Sequence, residues 1–259
     1  MPDTPQGPDT RHGPDSREGV GRRLEVAHPP VLSGPSYHPV TELVRALEAA
    51  GVPRTRAPFA RGVPSLRSRA AERLGVNRAV VRHPSRAVLV PVMGPNPGWL
   101  FPYSATRECV LFCWDVWPPD AALWARLLRR HRVRFAVMTA RASALHWRAS
   151  VPGLRTAWIP EAADPLPGAP GPPLAARRVR VLELGRRHAA YHAAVTPRLA
   201  RAGVPHRYEQ PPGSVVFPTR DDLASGLLDT VVSVCFPSSV THPRRSGDVA
   251  TLTRRYLES

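Results

Sequence analysis

The segment best suited to bind an anionic ligand runs from Pro237 to Asp248 (PSSVTHPRRSGD). It follows an apolar run, residues 231–236, that has the composition of a buried strand, and it leads into a helix predicted over residues 248–259. Such loops lie at the carboxyl edge of a parallel sheet, where open α/β folds bind their ligands. Hydroxyls, arginines and helix N-terminal amides suit a phosphate group. The alternative is an ordinary polar surface loop.

A histidine pair follows the strand predicted over residues 179–184. His188 and His192 are one helical turn apart (HAAYH), a spacing that can hold a metal ion. The motif lacks the glutamate of a metalloprotease, and no third ligand can be named. We therefore expect these histidines to face solvent or a ligand cleft, and we predict no metal site.

Asp115 ends another apolar run and stands between Trp114 and Trp117. Aromatic side chains at a strand end can stack on a sugar ring or a base. The alternative, which we favour, is that both tryptophans belong to the core. Histidines that could serve as bases are scattered along the chain, and the sequence does not choose among them, so no catalytic residue is assigned: His83, His131 and His146.

These residues require a scaffold of alternating strands and helices. The hydrophobic pattern predicts strands over residues 86–93, 108–114, 133–139, 155–159, 179–184 and 231–236. Between them it predicts helices over residues 41–51, 121–131 and 140–148, a helix ending near Arg201, and a helix capped by Thr219. This alternation argues for parallel sheets with crossover helices, which is the α/β class.

Composition restricts the classes of partner. The chain has 36 basic and 20 acidic residues, a net charge of +16, and every basic residue is arginine. The absence of lysine indicates coding bias in a GC-rich genome, so the charge is weak support for nucleic acid as a partner.

No apolar run approaches the roughly 18–20 residues of a membrane span, and we expect a soluble, cytoplasmic protein. We expect the three cysteines to be buried, reduced thiols: Cys109, Cys113 and Cys235.

The chain divides by composition into three regions. Residues 1–36 are rich in proline, aspartate, glycine and arginine and are predicted to be a disordered tail. Residues 37–170 form a first domain that ends at the linker-like segment LPGAPGPP, and residues 171–259 form a second one. Only two strands and the start of a last helix are seen in the second domain. We therefore expect this domain to be incomplete and the chain to be truncated.

Several motifs resemble those of bacterial GT-B glycosyltransferases of the family 1 and family 4 type. Near the C-terminus these are FPTRDDL, VVSVCFPSSVTHPRRSGDV and LTRRYLES, between Val216 and Ser259. WIPEAAD, from Trp158 to Asp164, is similar to the segment that closes the acceptor domain, and the turn at Gly185 is similar to the one that opens the donor domain. The resemblance implies a Rossmann-like N-terminal domain and an incomplete second Rossmann-like domain.

The resemblance also implies a donor-binding site. It assigns the donor diphosphate to the turn formed by Gly185, Arg186 and Arg187, where arginine can neutralise two phosphate oxygens. It assigns ribose hydroxyls to a late glutamate of the motif, which here is Glu258. The remaining donor-binding residues that it implies lie in the loop and the first helical turn: Thr241, His242, Gly247, Thr251 and Thr253. Two positions depart from the family pattern, because Ala250 replaces a common glutamate and Tyr191 or His192 stands near a common lysine.

The function that the resemblance implies is transfer of a sugar, of the hexosyltransferase type, from a nucleotide-sugar donor to an unidentified acceptor. No metal and no other cofactor is expected. One alternative is a catalytically inactive fragment of the same fold, and a less favoured one is a basic nucleic-acid-binding protein. We expect no nucleic acid as partner. Peripheral contact with an anionic membrane through the arginine-rich patches stays open.

Overall fold

A computed structural model describes residues 24–27, 38–55, 87–95, 99–104, 107–162, 171–210 and 214–249. The described chain is an α/β protein with a six-stranded parallel sheet and a second, three-stranded parallel sheet. The α/β class that the alternation of strands and helices predicts is therefore confirmed.

The first sheet has the spatial order β2-β1-β3-β4-β5-β6. Strand β1 pairs in parallel with both β2 and β3, and β5 pairs in parallel with β6. Its most apolar strand, β3, is buried at five consecutive positions, as expected of a strand covered on both faces. The strands are β1 (Leu24–Ala27), β2 (Arg54–Thr55), β3 (Ala87–Met93), β4 (Glu108–Trp114), β5 (Phe135–Met138) and β6 (Arg155–Trp158).

Helices connect these strands. They are α1 (His38–Ala49), α2 (Phe101–Ser104), α3 (Ala121–Arg130) and α4 (Arg141–Ser150). Helix α3 shows how the pattern works, because Trp124, Leu127 and Leu128 are buried at helical spacing while Leu123 is 49% exposed. Within the described ranges no helix is long and apolar enough to cross a membrane.

The second sheet has the order β8-β7-β9, so β7 (Val179–Glu183) is its central strand. Both neighbours, β8 (His206–Arg207) and β9 (Thr230–Val234), run parallel to it. Helix α5 (Ala189–Arg201) connects β7 to β8, and α6 (Arg220–Leu228) precedes β9. Two short helical turns, α7 (Ser238–Thr241) and α8 (Pro243–Ser246), follow β9.

Helix α6 begins where the sequence predicts. The Thr219 side chain accepts a hydrogen bond from the amide of Asp222, and the Asp222 carboxylate accepts one from the amide of Thr219. This reciprocal arrangement is a capping box, which satisfies two amides at the helix start. The last described residues differ from their prediction, because Asp248 and Val249 are not helical. Residues 250–259 of that predicted helix lie outside the described ranges.

The predicted tail needs one correction. Leu24–Ala27, inside the region predicted to be disordered, forms strand β1 between β2 and β3, and Val26 and Ala27 are fully buried. Pairing with strands about 30 and 60 residues away stabilises this short segment. Local composition could not predict the strand, because it contains no information about such long-range pairing. The rest of residues 1–36 lies outside the described ranges.

The chain packs as two compact units. One consists of residues 1–91, 97–111 and 131–133, and the other of residues 92–96, 112–130 and 134–259. The second unit contains the whole three-stranded sheet, together with the ends of β3 and β4 and all of β5 and β6. The domain limits predicted at residues 37 and 171 stay predictions.

Candidate functional site

The candidate site lies at the carboxyl edge of the three-stranded sheet, in the second compact unit. Central strand β7 ends at Glu183, and the chain turns through Gly185, which has a φ of +88°. This left-handed conformation favours glycine, and the turn places Arg186 and Arg187 just before helix α5. The predicted Gly-Arg turn is therefore confirmed as a strand-to-helix turn.

Arg186 reaches the loop that follows β9. Its Nη1 donates a hydrogen bond to the Oγ of Ser238, which is buried and begins α7. Because β7 and β9 are parallel neighbours, their carboxyl ends meet at one edge of the sheet, which brings residues 52 positions apart into contact. The contact leaves the other nitrogens of the guanidinium for other partners.

Arg187 points to the other side of the turn. Its Nη2 donates a hydrogen bond to the main-chain carbonyl of Glu209, and its guanidinium lies over the Tyr208 ring, 5.4 Å from the centroid. Both partners directly follow β8. The two arginines of the turn are therefore fixed by different neighbours of the central strand.

The loop after β9 is more structured than the sequence predicts, because it contains the turns α7 and α8. Thr241 donates its hydroxyl hydrogen bond to the carbonyl of Pro237, and the Oγ1 of Thr241 lies 3.1 Å from Nδ1 of the exposed His242. Gly247 has a φ of +61°, and a Cβ at this position would lie 3.1 Å from the Pro118 ring. Gly247 therefore permits a turn and close packing, whereas the prediction assigned it to the donor.

Asp115 brings a carboxyl group to the same unit. It directly follows β4, is half-buried and has a φ of +53°, which is uncommon for a residue other than glycine. Burial raises the pKa of Asp115, and the positive charges of Arg186 and Arg245 oppose that rise. The site therefore combines one carboxyl with arginines from two separate loops.

Beneath this edge, two imidazoles surround one carboxylate. Nδ1 of His192 lies 3.0 Å from both Glu183 carboxylate oxygens, and Nε2 of His206 lies 3.0 Å from Oε1 of Glu183. The Tyr208 ring contacts both histidines, with centroid distances of 4.6 and 4.8 Å. Burial lowers the pKa of His206, and the Glu183 carboxylate opposes this shift. The cluster links Glu183 to Arg187 through Tyr208.

The two histidines of the HAAYH motif have different partners. His188 caps helix α5, because its Nδ1 accepts the amide hydrogen bond of Tyr191, and its ring packs against Phe236 at 4.9 Å. His192 faces Glu183 instead. Across the described residues no group of three or more histidine, cysteine, aspartate or glutamate side chains is arranged to hold a metal ion.

No family model matches the chain, and no curated protein matches it either. The site must therefore be interpreted from its own geometry. That geometry brings Arg186 and Arg187 to one turn and joins Arg186 to the loop after β9, where Thr241, His242 and Gly247 lie. Three predicted donor-binding residues lie outside the described ranges: Thr251, Thr253 and Glu258.

Most of the described residues left open near the first sheet belong to the packed interior. Trp114 and Trp117 are buried, which confirms the core interpretation that the sequence favoured. His131 is buried, with Nδ1 2.8 Å from the Ser104 hydroxyl, whereas His146 is exposed on α4. His83 lies outside the described ranges.

Sequence reasoning missed Glu183 as a member of the site. It included Ser238 and Arg245 in the predicted anion-binding segment but did not predict the contact of Ser238 with Arg186 or the effect of Arg245 on Asp115. A glutamate that ends an apolar strand is one available signal, because a buried carboxylate requires partners. The pairing of Arg186 with Ser238 had no local signal, since it depends on which strands become neighbours.

Proposed function

We propose that this protein is a glycosyltransferase of the GT-B type, which transfers a sugar from a nucleotide-sugar donor. The observation that carries the proposal is the contact between Arg186 and Ser238 at the carboxyl edge of the second parallel sheet. Open α/β sheets bind ligands at this edge, and an arginine held there by a neighbouring loop is suited to a diphosphate.

The chemistry that such a reaction requires matches the charges at this edge. When the sugar leaves its donor, negative charge grows on the nucleoside diphosphate, and fixed positive groups stabilise it. Arg186 supplies one guanidinium, and the 13-residue helix α5 begins three residues later with its amides towards the same edge. Arginine and helix charge can do this without a metal ion, in keeping with the metal-independent reaction that the sequence predicts.

The motifs after residue 216 support the same interpretation, since they resemble the nucleotide-sugar-binding half of GT-B enzymes. Of the described motif residues, Ser238 contacts Arg186, and its neighbours form the end of β9, α7 and α8, whereas FPTRDDL forms the start of α6. We propose that the donor phosphates bind at Arg186, with the loop from Pro237 to Gly247 beside them. The acceptor is unassigned.

Isothermal titration with UDP and with GDP tests the proposal. We expect the wild-type chain to bind at least one of the two, and Arg186→Ala to weaken that binding by about 10- to 100-fold, the range for a charged hydrogen bond. Arg198→Ala is the matched control, because Arg198 is exposed in the last turn of α5, at the helix end away from the arginine turn.

Three results would contradict the proposal. The first is a folded wild-type protein that binds neither nucleotide. The second is binding that Arg186→Ala leaves unchanged, and the third is an equal loss in Arg186→Ala and Arg198→Ala, which would indicate nonspecific attraction to a basic protein. Circular dichroism of each variant verifies that the fold is intact.

A further inference from the structure

Asp115 holds an unfavourable backbone conformation at the end of β4. Its φ of +53° lies in the left-handed region, where a side chain other than glycine costs free energy. Residues in such conformations persist where the surrounding structure fixes them, and they concentrate at ligand-binding sites. Aspartate therefore stands at a position where glycine would fit the backbone better.

Packing of the next residues fixes Asp115 in place. The amide of Trp117 donates a hydrogen bond to the carbonyl of Asp115, and Trp117 packs in a buried cluster with Ala140 and Val249. Pro118 lies so close to Gly247 that a Cβ there would approach its ring to 3.1 Å. The segment after β4 is thus held against the segment that follows Arg245.

Two positive charges act on the Asp115 carboxyl, although neither guanidinium pairs with it directly. Arg186 and Arg245 both act electrostatically on it, yet among the described residues it forms no hydrogen bond or ion pair through its side chain. Arg186 is fixed by Ser238, and Arg245 belongs to α8. Asp115, Arg186 and Arg245 therefore belong to three loops that meet through the hydrogen bond of Arg186 with Ser238 and the close approach of Gly247 to Pro118.

The signs of these charges restrict the ligand that fits them. The guanidiniums repel a cation near Asp115, and the carboxylate repels an anion placed directly against it. A molecule with an anionic group for the two arginines and a neutral hydroxyl for the carboxylate interacts favourably with all three side chains. Sugar phosphates have this composition, with hydroxyls a few bonds away from the phosphate.

We propose that Asp115 accepts a hydrogen bond from a sugar hydroxyl of a ligand whose phosphate is bound by Arg186 and Arg245. This inference rests on the proposed function and deepens it, since it assigns recognition of the sugar itself to a residue of the loop after β4. Asp115 acts here as a specificity-determining residue.

Two variants distinguish the effect of the Asp115 carboxyl group from that of the backbone conformation at this position. Asp115→Gly deletes the side chain and suits the left-handed backbone, whereas Asp115→Asn keeps an accepting oxygen and removes the charge. Titration of each with UDP, UDP-glucose, GDP and GDP-mannose gives the ratio of the dissociation constant of the sugar nucleotide to that of its parent diphosphate. Asp221→Asn, at an exposed acidic residue of α6, is the control for loss of one negative charge.

For the ligand pair that the wild-type protein binds, we expect Asp115→Gly to raise this ratio by about tenfold and Asp115→Asn to raise it less. Affinity for the diphosphate should stay constant or increase, because a repulsive charge near the phosphates is gone. A ratio unchanged within about twofold, or equal weakening of both ligands, overturns the inference while the proposed function stands. A wild-type protein that binds none of the four ligands overturns both.

Discussion

Glu183 and His206 face each other at the edge of the second sheet, with Oε1 of the glutamate 3.0 Å from Nε2 of the histidine. The His206 side chain is only 5% exposed, and that of Glu183 only 7%. His192 lies against the same carboxylate from helix α5. One buried carboxyl group therefore lies against two imidazoles.

We predict that the free energy of unfolding decreases on mild acidification because of His206. Burial lowers the pKa of His206 from its ordinary value of 6.5, although the Glu183 carboxylate partly opposes the shift. Between pH 6.5 and the lowered pKa of His206 in the folded protein, the unfolded chain therefore binds a proton that the folded chain does not. Stability contributed by neutral His206 is present above pH 6.5 and is lost as the pH falls.

Urea unfolding from about pH 7.5 to about pH 5 measures this loss in the wild type, in His206→Gln and in His146→Gln. We expect a shallower decrease in His206→Gln than in the other two proteins, because His146 is exposed on α4. Parallel decreases in all three proteins would assign the pH dependence to other groups.

The helices and the longer strands could be predicted from the sequence because they carry their own periodic patterns. Strand β4 has the predicted bounds, and β3 covers all the described residues of the strand predicted over residues 86–93. Strands β2 and β8 have only two residues each, too few for a period, and the four-residue β1 lies in a region rich in proline and glycine, so all three depend on pairing with a neighbouring strand.

The same distinction explains the site. The turn at Gly185 could be predicted because glycine and two arginines follow an apolar strand. The contact of Arg186 with Ser238 and the charge of Arg245 on Asp115 could not, since each joins loops that only the sheet order and the packing bring together.

Helix α3 provides a direct test of its buried face. Leu128 is fully buried, and its truncation in Leu128→Ala removes apolar contacts and leaves a cavity, so we expect a loss of about 3 kcal/mol in the free energy of unfolding. Leu123→Ala on the same helix is the matched control, because Leu123 is 49% exposed and should lose less than about 1 kcal/mol. Equal losses of stability in urea unfolding would contradict the assignment of the Leu128 face of α3 to the core.

The capping box of α6 provides a second test of stability. Thr219→Ala removes the oxygen that accepts the Asp222 amide hydrogen bond, and we expect a loss of about 1 kcal/mol. Ser225→Ala, at an exposed position within the same helix, should have a smaller effect or increase stability, since alanine is a strong helix former. Thermal unfolding of the two variants compares these changes, and a Thr219→Ala melting curve that matches the wild type would contradict the cap.

The cysteines should differ in reactivity. Cys113 is fully buried and burial raises its thiol pKa, Cys109 is also buried, and Cys235 is half-buried. Because the thiolate is the reactive form, we expect an aromatic disulfide reagent to label Cys235 first in the native protein and all three thiols after denaturation. Cys235→Ser should abolish the fast phase. A fast phase that persists in that variant would contradict the burial of the other two.

Asp115 should reduce the stability of the protein at neutral pH. Burial raises its pKa above the ordinary value of 3.8. Between pH 3.8 and the raised pKa, the folded chain therefore binds more protons than the unfolded chain. Stability is therefore lost as the pH rises through this window. We expect Asp115→Asn to raise the melting temperature at neutral pH, because it removes the buried charge and asparagine tolerates the left-handed backbone.

Asp115→Ala distinguishes the charge from the backbone. It deletes the same charge but places alanine at a φ of +53°, which costs about 1 kcal/mol or more, so we expect it to melt below Asp115→Asn. The advantage of Asp115→Asn over the wild type should shrink towards acidic pH, where the folded wild-type carboxyl is protonated. Calorimetry at neutral pH and near the ordinary carboxyl pKa of 3.8 measures both differences. An Asp115→Asn variant that melts below the wild type at neutral pH would indicate that the carboxylate stabilises the fold, as a direct partner of Arg186 or Arg245 would.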